Sequence, residues 1–393
     1  MTHSPTMTSG VHQRLLADPG DRWIPALDHP QLVQVLREAG LTGRGGAGFP
    51  VWRKLDAVAA APGAAVVIGN GAEGEPASDK DRVLLTYRPH LVLDGLQLLA
   101  LALGVRTAHL YLPATLAGPI RGVLAARHDP VAVTITTAPD TFIAGEKSAV
   151  VAAVSGRPAV PADKRVRITR AGVGGAPTLV QNVETLAHIT MIARHGPDWF
   201  RSAGTADEPG TFLATLSGAV SAPGVVEAAH GVPLGELIDA AGGPTAPLQA
   251  VLIGGYHGGW VPARPDLPVS RAALAPYGAS PGAGVVIALP ADVCGLAESA
   301  RIADYLAGQV AGQCGPCING LPRLAGLLTD LAKCRIRPGM DAELHRISAL
   351  VTGRGACRHP DGTTRLIGSS LRTFQADVAA HLTGRCLHDG THR

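Results

Sequence analysis

Gly43-Arg44-Gly45-Gly46-Ala47-Gly48-Phe49-Pro50 puts four glycines and an alanine into six positions. The backbone there is almost bare, so peptide N–H groups can approach a phosphate or a flat ring without steric cost. Arg44 would add a charge-assisted contact to a phosphate, and Lys54 a second cation. The same glycines would also serve a plain tight turn. Downstream, Ala64-Ala65-Val66-Val67-Ile68 is a short apolar run, the mark of a buried parallel strand. It ends in Gly69-Asn70-Gly71-Ala72-Glu73-Gly74-Glu75-Pro76. Ligands of open α/β sheets bind outside the carboxyl ends of strands. This acidic, glycine-rich loop is therefore a candidate binding loop, with a solvated turn as the other reading.

Around these two loops, strands are expected at His109–Leu112 and Val131–Thr136, and helices at Val51–Ala61, Asp81–Leu85, Leu91–Leu103 and Ala149–Val154. Asn182-Val183-Glu184-Thr185 opens another helix. Alternating strands and helices predict a layered α/β domain to about residue 205. From Thr211 the pattern becomes strand, hairpin, helix (Pro233–Ala241) and strand (Ala250–Gly254), a small β-grasp-like module. From about Asp292 four helices are expected, Ala297–Gln309, Gly320–Ala332, Asp341–Thr352 and Ser369–Leu382, as an antiparallel bundle.

A chain of 393 residues has room for two or three such domains. A net charge of +3 is too small to argue for a nucleic-acid partner. Met1–Gly10 lacks a signal-peptide pattern. The most apolar run, Leu91–Val105, is interrupted by Asp94, Gly95 and Gln97 and reads as a buried helix, not a membrane span. A soluble, cytoplasmic protein is expected.

All six cysteines fall late in the chain, at 294, 314, 317, 334, 357 and 386. This confinement suggests a local metal or cluster site rather than a disulfide framework. Cys314-Gly315-Pro316-Cys317 is a Cys-x-x-Cys, and Cys357 follows forty residues on. A redox pair, half a zinc site and part of an iron–sulfur site all use this spacing. A thioredoxin-type pair would need a preceding strand, and a zinc knuckle a second Cys-x-x-Cys or paired histidines. A cluster fits best, although three thiolates are one short of four; structural cysteines without metal are the remaining reading.

Taken together, these motifs resemble the NADH-binding flavoprotein subunit of respiratory complex I and its relatives in soluble hydrogenases and formate dehydrogenases. The resemblance runs from about Gly43 to Leu382. It is carried by the Gly43–Pro50 loop, Glu73–Pro76 with Lys80-Asp81-Arg82, Gly145-Glu146, Pro177-Thr178 with Asn182–Thr185, and Cys314-x-x-Cys317. It implies a lead-in over 1–40, an α/β domain over 41–208 binding FMN and NAD(P)H, an SLBB-like β-grasp domain over 209–290 and an all-α four-helix iron–sulfur domain over 291–393. It also implies that hydride passes from the nicotinamide to FMN, and single electrons then pass to a cluster and a ferredoxin-like or other redox partner. Gly43, Arg44, Gly45, Gly46, Gly48, Phe49, Lys54, Asn70, Glu73, Asn182 and Thr185 match positions around the flavin. Glu75 matches an acid close to flavin and nicotinamide, the nearest to a catalytic residue. Gly145, Glu146, Lys147 and Lys164 fall on the dinucleotide side. Cys314, Cys317 and Cys357 match cluster ligands.

The departures from the family pattern carry expectations of their own. Ala72 and Gln181 stand where Asp and Asn are usual. Lys147 replaces an acid that would repel a 2′-phosphate, and with Arg167 it favours NADPH. Ala311 replaces the first cluster cysteine. That leaves a four-iron cluster with an open iron, a three-iron cluster, or a fourth ligand from Cys334, Cys386 or His359. The alternative function is a non-catalytic relative that keeps the fold for structure or ligand binding.

Overall fold

The computed structural model describes residues 13–17, 23–163 and 166–388. The chain divides into two compact units. The first comprises the described residues up to Ala214 together with Val225–Val232; the second comprises Thr215–Gly224 and the chain from Pro233 onward.

The first unit opens with α1 (His29–Ala39). A capping box starts it, the Asp28 carboxylate accepting from the Gln31 backbone while the Gln31 side chain accepts from Asp28 N–H. The glycine-rich loop then leads into α2 (Val51–Ala59). Four strands follow: β1 (Val66–Asn70), β2 (Thr107–Pro113), β3 (Ala132–Ala138) and, after α6 below, β4 (Thr178–Asn182). Between β1 and β2 lie α3 (Lys80–Tyr87) and α4 (Pro89–Ala102), and between β2 and β3 lies α5 (Ala114–Ala125). The helix α6 (Lys147–Val154) precedes β4; α7 (Val183–His195) and α8 (Pro197–Arg201) follow it.

The sheet order is β3-β2-β1-β4 and every pairing is parallel. Val67, Leu110 and Leu179 face one core with α1, α2, α4 and α7; Ile68, Tyr111 and Val180 face another with Val150 and Val151 of α6. The central strand β1 is covered on both faces, which is why it reads as a continuous apolar run. The chain runs outward from β1 through β2 to β3, then crosses back to place β4 on the other side of β1. This reversal opens a crevice beyond the carboxyl ends of β1 and β4.

The polar residues inside the apolar α4 have specific partners. Asp94 is buried between Arg127 and Arg194. Gln97 exchanges hydrogen bonds with the Val131 backbone at 2.8 and 3.0 Å. Gly95 lets α7 approach so closely that a Cβ would stand 2.1 Å from the Leu186 carbonyl oxygen. Among the described residues, no helix is long and apolar enough to cross a membrane.

Farther along come β5 (Thr211–Gly218), β6 (Gly224–Ala229), α9 (Leu234–Asp239), β7 (Leu248–Ile253), β8 (Gly259–Pro262), α10 (Arg271–Leu274) and β9 (Val285–Pro290). They form a mixed sheet of order β6-β5-β9-β7-β8, with β5 and β9 parallel and β7 antiparallel to both its neighbours. The module therefore has two more strands than the sequence pattern suggested: the four-residue β8, and β9, which follows it only after a long connection.

The second unit ends in α11 (Gly295–Gly308), α12 (Leu321–Ala332), α13 (Met340–Val351), α14 (His359–Thr373) and α15 (Gln375–Leu382). The single helix expected at Ser369–Leu382 is two. The chain leaves helical geometry at Phe374 (φ −103°, ψ 37°), whose ring turns inward to meet Trp260 edge-on at 5.2 Å. Gly295 makes room for that ring, since a Cβ there would stand 2.3 Å from it.

Candidate active site and cluster site

Three loops meet at the carboxyl edge of the parallel sheet. The Gly43–Pro50 loop is closed at its base by Gly43 N–H donating to the Phe49 carbonyl (3.0 Å) and Val51 N–H donating to the Leu41 carbonyl (3.0 Å). Gly46 and Gly48 have φ of 91° and 59°, a region that suits glycine. The loop lies over the junction of β4 and α7: the Arg44 N–H donates to Thr185 Oγ1 (2.9 Å), and a Cβ on Gly45 would meet the Asn182 Cβ at 3.5 Å. Phe49 is exposed at the loop's end.

Asn70 and Asn182 end β1 and β4 in the same register. Asn70 holds the two remaining loops together. Its amide donates to the Gly145 carbonyl (3.0 Å) and its side-chain oxygen accepts from Ala72 N–H (3.1 Å). A Cβ on Gly145 would come within 2.8 Å of the Ala72 carbonyl oxygen, so the two backbones touch. Asn182 caps α7 through Glu184 N–H (3.0 Å) and donates to Asp81 at 2.6 Å. Its side chain is thus committed to positioning the loop, as is the Thr185 hydroxyl.

Beneath the loop lies a buried charge network. The Lys80 ammonium donates to the Arg44 carbonyl (3.0 Å) and pairs with Glu184 and Asp81. Burial pushes the Glu184 carboxyl up, but Lys80, His188 and Arg44 outweigh that and hold it at about 2. Burial pulls His188 down to about 4, so this ring is neutral at pH 7. Arg44 is a correction to the sequence expectation. Its buried guanidinium donates to Thr42 O, Thr42 Oγ1 (3.0 Å) and Thr211 O (3.0 Å), so it braces the loop from inside rather than offering charge to a phosphate.

The cation available to a phosphate is Lys54. Its ammonium lies 3.4 Å from Gln181 Oε1. Burial, reinforced by the charge of Lys147, pulls its pKa down to about 8. Gln181 Nε2 is buried and makes no hydrogen bond. Two like charges and an orphaned donor converging on one crevice are what an anionic, hydrogen-bond-accepting ligand would satisfy. These residues fit a flavin phosphate. From the sequence, Gln181 reads as a lost contact, whereas its side chain places this donor at the crevice.

Glu73 and Glu75 part company. Glu73 accepts from Ser78 Oγ and from the N–H groups of Asp81 (3.2 Å) and Arg82 at the start of α3. Burial and the neighbouring Asp81 push its carboxyl up to about 8. Glu75 is half-buried, its carboxylate accepting from Ala77 N–H at 3.4 Å. Glu146 caps α6 through Ser148 N–H (2.7 Å), and Lys147 is exposed in the first turn of that helix. Lys164 lies outside the described residues.

In the second unit, Cys314, Cys317 and Cys357 converge. Burial and the two neighbouring sulfurs push the Cys317 thiol up to about 12. Cys314 opens the π-helical turn Pro316–Gly320, its carbonyl accepting from Cys317 and Ile318 N–H (3.1 and 3.0 Å). Such crowding of thiols is relieved when a metal takes up their negative charge. His359 is a correction as a fourth ligand. Its Nε2 donates to the Leu306 carbonyl (2.8 Å) and its Nδ1 faces His257 Nε2 at 3.0 Å, so both ring nitrogens are engaged. Cys386 is also a correction, because it sits with Cys294 and His381; Cys334 lies beside Cys386.

A glycine-lined crevice at the switch point of a parallel sheet, with a three-thiolate site in a helical region, defines the class of flavin and iron–sulfur oxidoreductase subunits. Family comparisons agree. Residues 36–191 match the Nuo51 FMN-binding domain, 213–256 the SLBB domain, and 297–381 the iron–sulfur binding region of NADH-ubiquinone oxidoreductase-F. The chain is 30% identical over 376 residues to the F 2 subunit of NADH-quinone oxidoreductase from Rhizobium meliloti (strain 1021), covering 90% of this chain and 89% of that one. It is 29% identical over 402 residues to the corresponding F subunit of Streptomyces coelicolor, covering 96% and 89%. A crystal structure of an NAD+-reducing [NiFe]-hydrogenase in the air-oxidized state superposes with a TM-score of 0.85 at 28% identity, covering 96% of this chain and 68% of that one. The chain belongs to the family of NADH-quinone oxidoreductase F subunits.

Proposed function

We propose that this chain oxidises NADH or NADPH at FMN and delivers the electrons through an iron–sulfur cluster to a redox partner. The observation that carries the reading is the crevice beyond β1 and β4, where Lys54, Lys147 and the unpartnered Gln181 Nε2 converge. FMN supplies the step from two-electron to one-electron chemistry, and the cluster accepts single electrons. The chain's own residues bind and orient. Lys54 and Gln181 Nε2 take the phosphate end of the flavin. The bare Gly43–Gly48 backbone lies along it, and Asn70, Asn182 and Thr185 fix the loops that form its walls. Glu75 lies on the loop that would border the nicotinamide, where an acid positions the dinucleotide and shapes the local field. Lys147 and Arg167 favour a 2′-phosphate and hence NADPH.

We assign 41–208 to flavin and dinucleotide binding, 209–290 to the SLBB-like module and 291–393 to the cluster. Packing of α11 on α12, α12 on α13, α13 on α14 and α14 on α11 supports a four-helix bundle, with α15 added to it. Cys314, Cys317 and Cys357 would hold a cluster whose fourth iron, at the corner of Ala311, takes a non-protein ligand or is missing. A ferredoxin-like protein is the proposed acceptor.

Anaerobic absorbance spectra of the FMN- and iron-reconstituted protein test the function. Flavin bands should bleach on adding one equivalent of NADPH, and of NADH more slowly. A protein that binds no FMN, or whose flavin neither nucleotide bleaches, would mean that the fold is kept for binding alone.

A further inference from the structure

We propose a second metal site in the helical region: a structural zinc held by Cys294, His381 and Cys386, with Cys334 as the fourth ligand. It is separate from the cluster thiols Cys314, Cys317 and Cys357 and takes part in no electron transfer.

The ligand atoms are already gathered. One atom from each of Cys294, His381 and Cys386 lies within 4.8 Å of the others, the two first residues being fully buried. Cys294 Sγ and His381 Nε2 are 3.6 Å apart. Zinc bonds of about 2.3 Å to sulfur and about 2.0 Å to nitrogen, at a tetrahedral angle, would separate these atoms by about 3.5 Å. The gathered set has the spacing of a single ion. A four-iron cube would hold its ligands farther apart, because several bonds separate the iron atoms.

Each ligand is also prepared by its surroundings. His381 Nδ1 lies 3.0 Å from the Leu331 carbonyl, which can only accept, so Nδ1 carries the proton. The lone pair is left on Nε2, facing Cys294, which is the tautomer a metal-binding histidine needs. Cys294 is the N-cap of α11. A helix N-terminus favours a thiolate. The Cys386 sulfur accepts from His388 N–H at 3.5 Å.

Cys334 supplies an independent observation. Its sulfur neighbours Cys386. It is the one non-glycine residue with positive φ (54°) among the described residues. A glycine or asparagine would hold that turn after α12 at less cost. A cysteine in a strained turn, within electrostatic reach of Cys386, is accounted for by ligation. Zinc would thereby tie the start of α11, the end of α12 and the segment after α15 to one point.

Metal analysis of the full chain, purified from zinc-supplemented cells, tests this. One zinc per chain is expected beside the iron. His381→Ala and Cys386→Ser should lose zinc and keep iron, whereas Cys314→Ser should lose iron and keep zinc. A second measurement covers variants that fail to fold. In a Cys314→Ser/Cys317→Ser background, whose remaining cluster thiol cannot compete, added Co2+ should give a thiolate charge-transfer band and intense visible bands of tetrahedral cobalt. Cys334→Ser in that background should weaken the charge-transfer band by about a third, one thiolate of three being lost. A chain with iron but no zinc, a Cys294–Cys386 disulfide in the purified protein, or weak octahedral cobalt bands alone would overturn the proposal.

Discussion

Gly74 lies so close to Phe142 that a Cβ on it would stand 2.2 Å from the Phe142 carbonyl oxygen. The loop after β1 and the loop before α6 therefore touch backbone to backbone, and no side chain fits between them. Gly74→Ala must push them apart. It should destabilise the flavin-free protein by about 3 kcal/mol, since the obstacle is backbone rather than a movable side chain. FMN binding should weaken with it. Urea unfolding and a flavin titration would check both; unchanged stability would mean the loops do not meet.

Lys54 makes FMN binding depend on pH. In the flavin-free protein its pKa is down at about 8, from burial and from Lys147. A dianionic phosphate would favour the charged form, so binding above pH 8 takes up a proton. FMN affinity should fall up to about tenfold per pH unit above that value. The stability of the flavin-free protein should move oppositely. Between pH 8 and the ordinary lysine range the unfolded chain keeps a proton the folded chain has lost, so stability rises there with pH. Lys54→Met should abolish the pH dependence and weaken FMN about 10- to 100-fold, as measured by fluorescence titration.

Glu73 has the opposite sign. Its folded-state pKa of about 8 exceeds the ordinary carboxyl value, so the folded chain holds a proton that the unfolded chain loses. Stability contributed by the neutral form is present below about pH 4.5 and drains away up to about pH 8. Glu73→Gln mimics the neutral form. The variant should gain on the wild type with rising pH, by about 1–2 kcal/mol at pH 9, and match it near pH 5. Thermal unfolding at the two values would decide.

Lys147→Glu should turn the nucleotide preference toward NADH. Exchanging attraction for repulsion at an exposed charge should change the NADPH-to-NADH ratio of kcat/KM by about tenfold. The same change replaces a like charge near Lys54 by an opposite one, so the FMN pH dependence should move to higher pH. A ratio that stays put would remove Lys147 from the dinucleotide site.

Ala311→Cys should complete the cluster thiolates. Reconstituted wild type should hold about three irons or an oxygen-sensitive fourth, and the variant about four with slower loss in air. Cys317→Ser should lose the cluster. Iron analysis and electron paramagnetic resonance would check these outcomes.

Much of the fold was legible in sequence because the central parallel strand is covered on both faces. Val66–Asn70 is apolar without alternation and ends in an asparagine at the ligand-binding edge of the sheet, whereas Thr178–Asn182, with only Leu179 and Val180 apolar, gives no strand signal in the sequence. What could not be read was direction. Arg44 looked like a phosphate ligand because it sits among glycines, but the sequence does not show Thr42 and the Thr211 carbonyl waiting beneath the loop. The same holds for the late cysteines. Their spacing suggested one site, whereas the break at Phe374 and the turn at Cys334 bring Cys294, His381 and Cys386 together, apart from Cys314, Cys317 and Cys357. Helix ends moved by packing are invisible to periodicity.

Asn70 and Asn182 are neighbours in the sheet but 112 residues apart in the chain. Every other pairing in that sheet joins strands much nearer in sequence. Loop closure over such a span is slow, so β4 is expected to dock after β1, β2 and β3 have associated. Until then the crevice has one wall and Lys54 has no Gln181 beside it. Cofactor loading is therefore a late event in the life of the chain. Under flavin starvation the population most exposed to proteolysis should be a three-stranded species lacking its fourth strand, with cleavage concentrated between residues 155 and 177.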